Sequence, residues 1–266
     1  MQVFRQHKKI VLAAVILVVI IIVSLFIVQN APKPSPKSTP SPFPTEISPT
    51  PSSPTPPSPT PPQTPESTPT STSSLYPGEV TQYQNQSLTS ISAFIKDLDQ
   101  HPDVSIEGTQ YINQTTYTLT ITGLVNKTLN YTYEDVVNNF QSNQKVATLL
   151  CVEGWSVTIL WQGVLVNDLL QDAGVSPNAT TIIFSASDGY TTELPLAYIV
   201  QNNLILAYKM NNVTLTPEAG WPFMLIAQNQ YGYKWIRWVT GIEVSNDTSY
   251  LGYWESRGYP NNATVS

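Results

Sequence analysis

The chain holds a single cysteine, and the residues around it decide what chemistry is open to it. Cys151 ends the apolar run Val146-Ala-Thr-Leu-Leu-Cys151, which reads as a buried strand, and Gly154 lets the chain turn just beyond. A thiol at the end of a core strand, facing a turn, is either a soft metal ligand or a small buried hydrophobe. Other reactive residues are scarce. His7 and His101 are the only histidines, and His101 stands beside Pro102 at an expected helix end, so a Ser-His-Asp hydrolase is disfavoured. One cysteine and one usable histidine cannot build a structural zinc site, an intramolecular disulfide is impossible, and no Gly-rich phosphate loop occurs. From Tyr76 onward seven basic residues, Lys234 and Arg237 among them, face sixteen carboxylates, about −9 in net charge. So few cations disfavour a nucleic-acid partner.

The elements that must position these groups follow from periodicity. Leu88, Ile91, Phe94, Ile95 and Leu98 fall at helical spacing, which predicts an amphipathic helix over Ser87–Gln100. Tyr117–Gly123 alternates apolar residues with Thr, a strand with one buried face. Thr132 with Asp135 forms a capping box ahead of a short helix. Strands are expected over Val146–Cys151, Ser156–Trp161, Thr181–Ser185, Leu204–Met210, Phe223–Ala227 and Arg237–Val244. A helix over Asp168–Ala173 is closed by Gly174, Ser187–Tyr190 is a turn, and Pro195 stands in the first turn of another short helix. Short helices interleaved with strands of varied length predict an α+β domain with mixed β-sheets.

The N-terminal part has another character. Ile10–Val28 is apolar apart from Ser24 and long enough to cross a hydrocarbon layer of roughly 30 Å, so residues 10–28 read as a transmembrane anchor. Arg5, Lys8 and Lys9 precede it, which places residues 1–9 in the cytoplasm and everything after Asn30 outside the cell membrane. Residues 31–75 are a Pro/Ser/Thr-rich linker with polyproline character, and residues 76–104 lead into a domain over 105–266. Sequons at Asn85, Asn113, Asn126, Asn130, Asn178, Asn212, Asn246 and Asn262 agree with an exported glycoprotein.

From Cys151-Val-Glu-Gly-Trp-Ser156 onward the sequence resembles the molybdopterin-binding domain of the sulfite oxidase family, in its branch of periplasmic methionine sulfoxide reductase-like proteins. The resemblance continues through Trp161–Leu170, Ser187-Asp-Gly-Tyr190, Ile205–Tyr208, Gly220-Trp-Pro-Phe-Met-Leu225, Tyr231–Val244 and Gly252–Tyr259. It implies a sulfite-oxidase-type fold and a molybdenum–molybdopterin cofactor whose metal takes one protein thiolate, at Cys151. It further implies that Gly232, Tyr233, Lys234 and Arg237 meet the cofactor, with Lys234 and Arg237 at its phosphate; the plainer reading leaves both cations solvated on an edge strand. Glu153 would lie near the open face of the metal and move protons. Asp188 and Tyr190 sit in a turn beside the cofactor and would line the substrate entrance, whereas Trp155 and Trp161 read as core.

The resemblance also implies an oxidoreductase acting on a small-molecule substrate with an electron-transfer partner. Sulfite-oxidising relatives hold their anion with several arginines; here only Arg237 and Arg257 occur in an acidic domain, so a neutral oxide or sulfoxide is the expected substrate. The tail Arg5-Gln-His-Lys-Lys9 lacks the arginine pair of relatives exported in folded, cofactor-loaded form. A cofactor-free surface binding module that retains the fold is therefore the alternative.

Overall fold

The structure is a computed structural model and describes residues 76–101 and 105–265. The expected anchor over 10–28 and the linker over 31–75 lie outside the described residues. Among the described residues no helix is long and apolar enough to cross a membrane.

Two five-stranded sheets carry the domain. A small hairpin, β1 (Gln82–Tyr83) and β2 (Gln86–Ser87), precedes α1 (Ile91–Gln100). The helix starts later than its apolar spacing suggests, because Gln86–Ser87 pairs in the hairpin and Ser90 supplies the cap, its hydroxyl accepting from the amide of Ala93. Its buried stripe is Ile91, Phe94 and Leu98, and Phe94 meets Trp161 edge-on at 5.9 Å.

β3 (Leu119–Gly123) and β4 (Leu129–Tyr131) form a hairpin leading into α2 (Tyr133–Asn139), where both halves of the Thr132–Asp135 capping box are present. β5 (Ser142–Leu150) and β6 (Ser156–Leu165) then pair antiparallel over their whole length. α3 (Val166–Ala173) ends at Gly174 as expected. β7 (Thr181–Ala186) and β8 (Thr191–Pro195) flank the Ser187–Tyr190 turn. Pro195 closes β8 and stands at the cap of α4 (Leu196–Gln201), one position earlier than predicted. There follow β9 (Ile205–Met210), β10 (Val213–Thr214), β11 (Met224–Ile226) and β12 (Val239–Ser245).

One sheet runs β10-β9-β6-β5, with β11 added on β9, and all its pairs are antiparallel. The other runs β4-β3-β12-β7-β8 and is mixed, because β12 lies parallel to β3 and antiparallel to β7. The α+β class with mixed sheets and short helices is what the structure has. β12 begins at Val239 rather than Arg237, since Trp238 adopts φ 52° and turns the chain out of extended geometry. The shared core includes Trp161, Phe184, Phe223 and Trp238, all at most 1% exposed.

Candidate active site

The strand β5 delivers Cys151 to a tight turn. The amide of Cys151 donates to the carbonyl of Trp155 (2.9 Å) and that of Gly154 to the carbonyl of Cys151 (3.1 Å). Gly154 closes the turn at φ 92°, in the region glycine adopts without Cβ strain. The thiol is buried and donates to Glu153 Oε2 at 3.6 Å. Burial pushes the thiol up to about 11; the amide of Glu153 opposes this and its carboxylate adds to it. Glu153 itself is exposed.

A second segment reaches the same place through a parallel bridge between Leu150 and Tyr231. It continues as a 3-10 turn, Gly232–Lys234, and carries Arg237. Arg237 is 7% exposed, donates from Nη1 to the carbonyl of Glu218 (2.6 Å), and lies 4.1 Å over the Trp238 ring. Desolvation lowers it to about 10, against the opposing charge of Asp188, so it stays cationic at neutral pH. Gly220, at φ 100°, makes room for it: a Cβ there would stand 2.8 Å from Arg237 Cβ.

The third contribution is the β7–β8 turn. Asp188 accepts from the amides of Ile106 (Oδ2, 3.0 Å) and Tyr190 (Oδ1, 3.0 Å), and the Tyr190 hydroxyl donates to the carbonyl of Tyr233 at 2.6 Å. Burial raises the Tyr190 phenol, keeping it protonated. Together these segments form one cavity, partly open to solvent. Cys151, Glu153, Asp188, Tyr190, Gly232, Tyr233 and Arg237 all line it, beside Leu98, Leu149, Met224 and Ile236.

Lys234 does not. Its side chain is fully buried and turns away, so neither a solvated edge strand nor the cavity wall describes it. Nζ lies 2.6 Å from Glu255 Oε1, 2.9 Å from the carbonyl of Glu193, 3.1 Å from Asn261 Oδ1 and 3.4 Å from Glu193 Oε1. An ammonium has three donors, and these acceptors already engage them. Glu255 Oε1 also accepts from the Thr192 hydroxyl.

The sequence reading also missed part of the wall. Trp155 lines the cavity, packs 5.5 Å from the His101 ring, and buries an Nε1 without a hydrogen-bond partner; Trp161 is core as expected. Trp254 and Tyr259 complete the mouth, in a chain of ring contacts through Tyr253 and Tyr233. The signal was the aromatic density of Gly252-Tyr-Trp-Glu-Ser-Arg-Gly-Tyr259, which local periodicity could not place.

The arrangement suits a large, partly apolar group with a soft metal and an anionic arm. Cys151 offers a thiol that would bind a metal on losing its proton, and Arg237 offers a buried cation. Among the described residues no three His, Cys, Asp or Glu side chains converge on one metal position, so a metal here would take its remaining ligands from its own organic group.

Fold and site together define an oxidoreductase domain built for a molybdenum–molybdopterin cofactor. The oxidoreductase molybdopterin binding domain family matches over residues 106–254, and the chain belongs to that family. It is 35% identical over 150 residues to the uncharacterized oxidoreductase YuiH of Bacillus subtilis (strain 168), covering 56% of this chain and 75% of that one. The protein-methionine-sulfoxide reductase catalytic subunit MsrP of Gluconobacter oxydans (strain 621H) is 29% identical over 145 residues, covering 48% of this chain and 46% of MsrP. Among solved structures, the sulfane dehydrogenase SoxCD from Paracoccus pantotrophus shares the fold with a TM-score of 0.51 and 24% identity, over 53% of this chain and 41% of that chain. The chain thus spans about half the length of MsrP.

Proposed function

We propose that this chain is a membrane-anchored, outward-facing oxidoreductase that exchanges an oxygen atom with a neutral oxide or sulfoxide. The observation that carries the reading is the single thiol, Cys151, at the wall of a largely apolar cavity with Arg237 beside it. When bound, the molybdenum–molybdopterin cofactor supplies two-electron oxygen-atom chemistry. Cys151 would hold the metal as its thiolate, and Arg237 would meet an anionic part of the cofactor. Glu153 Oε2 already accepts from the thiol, and its exposure lets it pass a proton to solvent. Trp155, Trp254 and Tyr259 would give a substrate an aromatic surface at the mouth. In the direction of reduction, a sulfoxide takes two electrons from a redox partner and two protons, and leaves as a thioether and water. An acidic domain with few cations disfavours the sulfite dianion.

Metal analysis and visible absorbance of protein from its own membranes test this, together with turnover of a methyl sulfoxide against sulfite. Molybdenum near one per chain with sulfoxide turnover is expected. Protein free of molybdenum would instead support the cofactor-free binding module.

A further inference from the structure

At the end of the mixed sheet away from the Ser187–Tyr190 turn lies a polar groove between the start of β7 and the end of β12. Thr180, Thr248, Asn262 and Thr264 line it. These are not independent residues: Thr180 completes the sequon of Asn178, Thr248 that of Asn246, and Thr264 that of Asn262. Three Asn-x-Thr triplets, far apart in sequence, thus converge on one groove. All three asparagines and all three threonines are exposed and lie outside helices and strands. At Asn262, an exposed residue, the amide oxygen is occupied, accepting from the Thr264 hydroxyl (2.7 Å) and amide (3.3 Å). β12 runs from Val239, beside the cavity, to Ser245, beside the groove, a span of about 20 Å at 3.3 Å per residue.

We infer that Asn178, Asn246 and Asn262 are N-glycosylated and form a carbohydrate cap over this groove. The inference rests on the outward orientation proposed above. Attachment joins each Nδ2 to the anomeric carbon of a sugar. The bond from that carbon to the phosphate of a lipid-linked sugar donor breaks, the lipid phosphate departs with the bonding electrons, and one amide proton is released, with no change of oxidation state. The cap covers the groove, whose lining shares no residue with the cavity at Cys151.

The test uses full-length protein from its own membranes, cut into peptides and weighed. Added sugar mass is expected at Asn178, Asn246 and Asn262, and Asn178→Gln, Asn246→Gln or Asn262→Gln should each lower the intact mass by one glycan. Thr264→Ala should do the same at Asn262 with the asparagine retained. Unmodified peptides at all three positions overturn the inference. Protease added to intact cells separates the two ways of failing. A domain cut from outside yet unmodified removes the glycan cap alone, whereas a protected and unmodified domain removes the orientation as well.

Discussion

Arg237 and Lys234 stand three residues apart on one segment, yet they belong to different physical regimes. Arg237 lines the cavity and leans on Trp238, and its nearby carboxylate, Asp188, is itself engaged by two backbone amides. Its positive charge thus stands at the cavity wall, where an arriving anion would meet it. Lys234 sits between two carboxylates, and its donors are met by Glu255, Glu193 and Asn261. Its charge is consumed inside the protein, where it ties the 3-10 turn to β8 and to the C-terminal segment. What places a cation at the cavity is therefore the direction its side chain takes in the fold, and spacing along the chain does not report that.

Four substitutions would break or sharpen this contrast. Cys151→Ser should abolish molybdenum retention while shifting the folding midpoint by under about 1 kcal/mol, since a small buried group is replaced by one of similar size. Metal retained at wild-type level would show that the thiol is not the ligand. Lys234→Met leaves two buried carboxylates without their cation and should cost about 3–5 kcal/mol in denaturant unfolding of the cofactor-free protein. Unchanged stability with lost cofactor would return Lys234 to the phosphate and erase the distinction.

Arg237→Gln should act the other way, weakening cofactor retention on the order of 10–100-fold, or about 1.5–3 kcal/mol for a charge-assisted contact, with a smaller stability loss than Lys234→Met. Equal retention would remove Arg237 from the cofactor. The smallest effect is expected for Glu193→Gln. Burial raises the Glu193 carboxyl from 4.5 despite Lys234. The contribution of this group to stability is thus fully present below about pH 4.5 and is lost as pH rises through its elevated folded value. Glutamine cannot lose that proton, so the variant should gain slightly over wild type between pH 4 and 7 in thermal melts. A parallel pair of melting curves would show that Glu193 does not titrate in the fold.

Much of the fold was legible because its signals are local. The Thr132–Asp135 box, the Gly174 stop and the alternation of β3 need only a few neighbouring residues to act. Elements that depend on distant partners were not. β4 and β8 are short and rich in Thr, Asn or Glu, and they exist because β3 and β7 offer them edges. In the site, Cys151, Asp188, Tyr190 and Arg237 were named from the family resemblance, and the structure brings their side chains to one cavity. The setting of Lys234 was out of reach, since Glu193 and Glu255 lie 41 and 21 positions away and nothing in Gly232-Tyr-Lys-Trp235 announces them. Trp155 was assigned to the core because bulk alone cannot say whether an indole faces packing or a cavity.

Glu255 and Asn261 grip Lys234 from the same stretch that supplies Trp254 and Tyr259 to the mouth. None of Lys234, Glu193, Glu255 or Asn261 lines the cavity, yet the cluster they form pins the segment that brings two aromatic rings to its rim. A change that loosens this buried cluster would therefore be felt at the mouth without any cavity residue having been touched.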